Sequence, residues 1–233
     1  MTEKAWKMAK NGRRAVIVGG MRTPFAKAFT ELMELDTIAL GVAAAGALLR
    51  KLDISRDEID SIVWGGVVLP PLSVNIGREI VLDLGLPASV EGRTVTRACA
   101  SGLQAITDAV LAIERGEADV VIAGGSDSTS NAPIAFPNKV TRTLAPLVLG
   151  GKASAADIFG ALAQLMPISE ILPRQPRVAE RSTGEVMGQS AERMAQRNEI
   201  SREAQDELAL RSHKRAVASR FGPVRMPSRP MSV

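Results

Sequence analysis

The single cysteine of this 233-residue chain, Cys99, lies at a predicted turn from a strand into a helix. Residues 92–96 read as the strand, and apolar residues at three- and four-residue spacing predict the helix: Leu103, Ile106, Val110 and Ile113. The N-terminus of a helix presents unpaired N–H groups and the positive end of the helix dipole, which favour a thiolate. Because the thiolate is the nucleophilic form of cysteine, Cys99 is a candidate covalent catalyst. The spacing alone leaves open that Cys99 is a buried core residue.

The elements that would position Cys99 alternate between strands and helices. Short apolar runs at 15–18, 62–66 and 120–123 predict three strands beside the one that ends near Val95. Helices are predicted over 38–49, with Asp36 or Thr37 as the N-cap, and over 76–84. This alternation predicts an α/β layer with a largely parallel sheet through about Asn131.

The composition of the sequence changes after Asn131, where prolines become more frequent. Six prolines between residues 132 and 181 are expected to prevent a long regular element. Residues 155–165 predict a helix whose apolar side chains suit ordinary packing, with an acyl-chain cover or a membrane-surface contact as alternatives. A further helix is predicted from Ser201 to about Ser219, with a stripe expected to pack closely: Ala204, Leu208, Ser212 and Ala216.

Composition and charge narrow the classes of function. Hydrophobic residues make up 45% of the chain and charged residues 23%, which is typical of a globular protein. The net charge of +4 is interpreted as the result of solvated helix faces, and attraction for an anionic, phosphate-bearing ligand is the alternative. Aromatic residues make up only 3%, so little surface exists for base stacking, and we expect no nucleic-acid partner.

The counts of cysteine and histidine argue against a disulfide and against a metal site. One cysteine cannot form an intrachain disulfide or a multi-cysteine metal site, and we expect no bound metal. The single histidine, His213, is interpreted as a surface or packing residue. The first residues contain no apolar signal region, and no run of eighteen apolar residues occurs. We therefore expect a cytoplasmic protein without a transmembrane segment, with peripheral membrane association as a further option.

Several motifs together resemble one enzyme family. The run Cys-Ala-Ser-Gly-Leu-Gln-Ala-Ile at 99–106, followed by the segment 116–128, resembles the nucleophile segment of the thiolases. Segments at 21–25, 75–79, 182–188 and 200–206 are similar to other thiolase motifs and occur in the same order. The likeness runs from Arg14 to Ala218 and identifies the chain as a member of this family of acyltransferases.

The resemblance implies a thiolase-like layered α/β fold. Residues 1–13 would be a loose N-terminus and 14–131 the N-terminal α/β/α half with the nucleophile. Residues 132–220 would form a loop domain that covers the substrate, and the unmatched residues 221–233 a disordered tail. The C-terminal half of the thiolase fold is expected to be missing.

The resemblance also implies roles for individual residues and partners. Cys99 would carry the acyl group as a thioester, and Met187 would line the channel for the pantetheine of coenzyme A. Coenzyme A would be a substrate, with no permanently bound cofactor. The expected assembly is a homodimer or homotetramer, with a hydratase/dehydrogenase subunit of fatty-acid oxidation as a further candidate partner.

The implied reaction converts 3-oxoacyl-CoA and coenzyme A into acyl-CoA and acetyl-CoA, as in fatty-acid β-oxidation. Residues 155–186 resemble the long-chain thiolase subunit of fatty-acid oxidation complexes. In the family, the second half of the chain supplies a Gly-His-Pro histidine, an asparagine motif and a second cysteine. This sequence contains none of the three, so we expect it to be inactive alone. An acetoacetyl-CoA-forming biosynthetic thiolase and a non-catalytic interaction or scaffold fragment are the alternatives.

Overall fold

A computed structural model describes residues 12–150, 154–173 and 178–218. By internal contacts the chain divides into two compact units, with the boundary between Pro133 and Ile134. The predicted tail at 221–233 lies outside the described residues, as does nearly all of the segment predicted to be a loose N-terminus.

The first unit is built on a three-stranded parallel sheet. Its helices are α1 (Thr37–Leu52), α2 (Ile76–Asp83) and α3 (Ser101–Arg115), and its strands are β1 (Ser61–Gly65), β2 (Glu91–Val95) and β3 (Val121–Gly125). The strand order is β2-β1-β3, and Ser61 lies opposite Glu91 on one side and Val121 on the other. These elements confirm the α/β prediction. Asp36 is the N-cap of α1, since its side chain accepts from the Ala39 N–H at 2.7 Å.

Helices cover both faces of this sheet. Helices α1 and α2 contact each other, while α3 packs against β1 and β3. Ile62 and Trp64 of β1 belong to the main core cluster with Ile76 and Ile80 of α2. Val63 is fully buried outside that cluster, as expected for a residue that points to the α3 side of the strand. The result is a layered α/β/α arrangement.

The run Ala15–Val18, which predicts a strand, is not a strand in the structure. Val16, Ile17 and Val18 are 75%, 80% and 70% exposed, although all three are apolar. A strand needs a neighbour with free N–H and C=O groups, and among the described residues none pairs with this segment. The prediction was wrong because an apolar run reports composition, whereas strand pairing depends on distant residues.

Helix α3 buries a different face from the one that its large apolar residues suggest. The side chains buried on this helix are small: Ser101, Ala105 and Ala109. Leu103 on the outer side is 66% exposed and Ile106 is 37% exposed. Small residues allow α3 to approach the sheet closely, and the large ones form a separate apolar stripe.

The described parts of the second unit are mainly helical. It contains α4 (Asn138–Leu149), α5 (Ala155–Gln164), α6 (Met187–Arg197) and α7 (Arg202–Ala218). The expectation that prolines would prevent a long element is wrong for the twelve-residue α4, which contains Pro146. Pro146 lies in the last turn, where its missing N–H removes one bond, and its carbonyl still accepts from the Gly150 N–H at 2.9 Å.

Helix α7 confirms the predicted helix but not its predicted packing. None of its residues is buried, and Leu208 is 58% exposed. Ala204, Leu208 and Ser212 of the predicted stripe are all exposed, so these three residues do not form the expected close packing. Small residues at four-residue spacing permit close packing on a helix but do not by themselves produce it.

Candidate active site

Cys99 lies in the turn between β2 and α3, as the sequence predicts. Its side chain is a free, exposed thiol. This exposure contradicts the alternative that Cys99 is a buried core residue, because a core cysteine would be shielded from solvent. Cys99 immediately precedes Ala100, the N-cap of α3, so it lies at the positive end of the helix dipole.

Hydrogen bonds between residues close in sequence shape the turn around Cys99. The Ala100 N–H donates to the Arg97 carbonyl, and the Ser101 N–H donates to the Ala98 carbonyl, each at 3.1 Å. Ala98 has a φ of +46°, in the left-handed region that residues other than glycine rarely adopt. The residue before the candidate nucleophile therefore holds a strained backbone, a feature that clusters at functional sites.

Gly65 at the end of β1 sets the distance between α3 and the sheet. A Cβ at this position would lie 2.5 Å from the carbonyl carbon of Ser101 and 2.6 Å from the Gly102 nitrogen. Both atoms belong to the backbone, which cannot move aside as a side chain could. Only glycine lets the N-terminus of α3, and with it Cys99, rest directly on the carboxyl end of β1.

A cavity of about 550 Å³ opens at the carboxyl ends of β1 and β3. Its lining includes Cys99, Ser101 and the ends of both strands, together with the loop of residues 19–28. The chain places β2 on one side of β1 and then crosses over to place β3 on the other side, which makes a topological switch point between β1 and β3. Open α/β sheets bind ligands at the carboxyl ends of the strands at such switch points. The volume lies in the range of small-molecule and cofactor sites.

Polar residues after β3 fix the wall of this cavity. The Trp64 indole N–H donates to the Ser126 hydroxyl at 2.8 Å. A carboxylate oxygen of Asp127 accepts from the Val67 N–H at 2.9 Å and the Val68 N–H at 2.6 Å. No role was predicted for Ser126 or Asp127, although a polar run soon after a buried strand was an available signal.

Met187 and His213 both belong to the second unit. Met187 is the first residue of α6 and is 53% exposed. His213 lies on the exposed surface of α7. Among the described residues, no group of three or more histidine, cysteine and acidic side chains is arranged to hold a metal ion. Within the same part of the chain, no helix is long and apolar enough to cross a membrane.

A charged contact holds the opposite end of the sheet. The N–H groups of Val120 and Asp119 donate to the Asp60 carboxylate at 2.9 and 2.6 Å and hold the pKa of Asp60 below its ordinary value. Asp60 precedes β1, and the two donors precede β3, so this contact lies at the amino ends of the strands. It supports the sheet and lies away from Cys99.

The fold and the site define an α/β protein with an exposed thiol beside a cavity at the carboxyl edge of its sheet, an arrangement suited to covalent group transfer. The family model for the thiolase N-terminal domain matches residues 15–221. The chain therefore belongs to the thiolase family, which confirms the resemblance drawn from the motifs.

Curated relatives of this chain carry names from the same family. The chain is 41% identical over 216 residues to a 3-ketoacyl-CoA thiolase of Pseudoalteromonas translucida, covering 93% of this chain and 49% of the relative. It is 43% identical over 208 residues to a 3-ketoacyl-CoA thiolase of Colwellia psychrerythraea, covering 89% and 47%. The chain thus spans about half the length of the curated relatives it matches.

Solved structures agree with the fold. The crystal structure of an acetyl-CoA acetyltransferase from Bacillus anthracis matches with a TM-score of 0.69 at 25% identity, covering 95% of this chain and 53% of that one. A thiolase from Ascaris suum in complex with coenzyme A matches with a TM-score of 0.68 at 23% identity, covering 86% and 47%. These matches confirm the thiolase-like layered α/β fold.

Proposed function

We propose that this chain is the nucleophile-bearing half of a 3-ketoacyl-CoA thiolase. The observation that carries the proposal is the exposed Cys99 thiol at the N-terminus of α3, on the wall of the cavity at the carboxyl ends of β1 and β3. Two relatives above 40% identity carry the name 3-ketoacyl-CoA thiolase, which supports a degradative substrate over an acetoacetyl-CoA-forming reaction.

The proposed chemistry uses Cys99 in two steps. Its thiolate attacks the keto carbon of 3-oxoacyl-CoA, the bond between the second and third carbons breaks, and acetyl-CoA leaves after its new carbanion takes a proton. The acyl group remains on the sulfur as a thioester. The thiol of coenzyme A then attacks this thioester, which releases acyl-CoA and the Cys99 thiolate, while a base accepts the thiol proton.

The helix N-terminus assists both steps. The positive end of the α3 dipole is proposed to favour the thiolate before the attack and after release of the product. The backbone N–H of Cys99 is the candidate donor to the oxyanion that forms on the attacked carbonyl. Because the loop backbone is already in place, this stabilisation needs little reorganisation during the reaction.

The proton transfers need groups that this chain does not supply. Cys99 is its only cysteine and His213 its only histidine, and His213 lies on the exposed face of α7. By the family resemblance, the base and the second acid/base belong to the half of the relatives' length that the chain does not match. We therefore propose that turnover requires that half.

The second unit is proposed to contribute to binding of coenzyme A and the acyl chain. Met187, exposed at the start of α6, is the candidate contact for pantetheine. Residues 132–220 are the proposed substrate cover. A cytoplasmic location and a homodimeric or homotetrameric assembly, with or without a hydratase/dehydrogenase subunit, belong to the same proposal.

A fusion tests the proposed function. The chain is joined to the unmatched C-terminal half of the Colwellia psychrerythraea relative, and thiolysis of four-, ten- and sixteen-carbon 3-oxoacyl-CoA is measured. We expect turnover in the fusion, preference for the longer substrates, and loss of turnover in the Cys99→Ser variant of the same fusion. The unfused chain and the isolated C-terminal half are the controls.

Three outcomes would contradict the proposal. Cleavage of the four-carbon substrate alone would favour an acetoacetyl-CoA thiolase. A folded fusion without turnover would favour a non-catalytic interaction protein. Turnover that survives Cys99→Ser would remove Cys99 from the mechanism.

A further inference from the structure

The hydroxyl of Ser101 closes a ring of contacts around Cys99. Ser101 is the first residue of α3 and is only 3% exposed. Its Oγ accepts from the Arg97 N–H at 2.8 Å and donates to the Ala98 carbonyl at 2.6 Å. The two partners precede Cys99 and Ser101 follows it, so one side chain ties together the chain on both sides of the thiol.

The same hydroxyl supports the strained residue in this turn. Ala98, at a φ of +46°, has a carbonyl that accepts from both the N–H and the hydroxyl of Ser101. A left-handed conformation outside glycine persists only where its surroundings hold it in place. Without the hydroxyl, the Arg97 N–H would lose its partner and Ala98 would keep only one of its two bonds.

We propose that Ser101 is a positioning residue for Cys99, holding the thiol at the N-terminus of α3 in the geometry that activates it. This inference rests on the proposed function of Cys99. A hydroxyl suits the role because it accepts and donates at once, which no apolar side chain of this size can do. The hydroxyl proton is already committed to Ala98, so Ser101 acts through Cys99 rather than on the substrate.

The structure offers a matched control in Thr37. Thr37 is also 3% exposed, and its hydroxyl accepts from the Ser128 N–H at 3.1 Å and donates to the Val68 carbonyl at 3.4 Å. It bridges two backbone groups as Ser101 does, but at the start of α1. Loss of either hydroxyl removes two hydrogen bonds to backbone groups, those of Thr37 being the longer pair, and only Ser101 belongs to the turn that carries Cys99.

The experiment measures the rate of alkylation of Cys99 by iodoacetamide in the folded full chain at neutral pH. Since Cys99 is already exposed, loosening the turn cannot raise the rate much by adding access. We expect Ser101→Ala to slow alkylation by about five- to tenfold, because the thiolate loses its alignment with the helix N-terminus. Ser101→Thr, which keeps the hydroxyl, should return the rate to within about twofold of wild type.

Thr37→Ala separates positioning from general destabilisation. It should lower the free energy of unfolding about as much as Ser101→Ala does, with an alkylation rate within about twofold of wild type. An unchanged rate in Ser101→Ala would overturn the inference, as would an equal slowing in Thr37→Ala. If Ser101→Ala does not fold, Ser101 is replaced in an Ala98→Gly background, where the left-handed turn carries no Cβ penalty.

The inference and the proposed function fail in different ways. Alkylation of the folded wild-type chain at the rate of the denatured chain would count against an activated Cys99, and so against the proposed function. A fast wild-type reaction with no loss in Ser101→Ala would leave the proposed function intact and remove only the role of Ser101.

Discussion

The two ends of the central sheet are held in different ways. At the amino ends of the strands, the Asp60 carboxylate accepts two backbone N–H groups that precede β3. At the carboxyl ends, Gly65 leaves room for the start of α3, and a cavity opens between β1 and β3. At the amino ends, a charged carboxylate connects β1 to the start of β3. At the carboxyl ends, the absence of a side chain at Gly65 lets α3 lie close to β1 beside the cavity.

Backbone strain and the candidate nucleophile both lie at the carboxyl end of the sheet. The amino end contains a charge-assisted contact, which stabilises the strands and lies outside the cavity that Cys99 lines. The carboxyl end contains the left-handed Ala98, a helix terminus and an exposed thiol. Changes at the amino end should therefore alter stability alone, while changes at the carboxyl end should alter both stability and the reactivity of Cys99.

The largest effect is expected at Gly65. Gly65→Ala places a Cβ within 2.6 Å of the backbone of Ser101 and Gly102, so α3 must move away from β1. We expect a loss of about 2–3 kcal/mol in the free energy of unfolding and slower alkylation of Cys99. Chemical denaturation and iodoacetamide labelling measure the two effects.

Gly102→Ala is the matched control for the stability effect, since a Cβ there meets no atom within 4 Å. In a helix this change should raise stability by up to about 1 kcal/mol. Equal losses from both variants would show that close contact between α3 and β1 is not what requires Gly65.

A smaller effect is expected at the amino end from Asp60→Asn. The variant keeps an oxygen acceptor but loses the charge that strengthens the two hydrogen bonds. Because Asp60 is exposed and screened by solvent, the expected loss is about 1 kcal/mol. The alkylation rate of Cys99 should stay within about twofold of wild type, and a larger change would show that the two ends are coupled.

The pH dependence of stability gives a finer test of the same contact. The folded pKa of Asp60 is lowered by the N–H groups of Val120 and Asp119. Its stabilisation is therefore complete above the ordinary unfolded pKa of about 3.9 and is lost as the pH falls through the lower folded pKa. The difference in unfolding free energy between wild type and Asp60→Asn should shrink from pH 5 to pH 2. A difference that stays constant over this range would contradict the charged contact.

Local signals in the sequence predicted much of this molecule. The turn that carries Cys99 follows from a short β-like stretch at 92–96, small residues and a helical period, all within about twenty residues of one another. The N-cap at Asp36 is equally local. Motifs spread along the chain identify the family as well, because their order and spacing are specific.

Interactions between distant residues could not be predicted in the same way. Ala15–Val18 has the composition of a strand but no partner within the described residues, and pairing is not encoded in four residues. Ser101 was visible in the motif, yet its bonds to Arg97 and Ala98 depend on the left-handed turn at Ala98. Asp60 meets Asp119 and Val120 across about sixty residues, a separation that no periodicity reveals.

The most direct measurement is the mass of the protein after incubation with decanoyl-CoA, for both the chain alone and its fusion to the C-terminal half of a relative. We expect a decanoyl group on the peptide containing Cys99, absent in Cys99→Ser and removed again by free coenzyme A. A folded fusion that gains no acyl mass, or that gains it at another residue, would contradict the assignment of Cys99 as the acyl carrier.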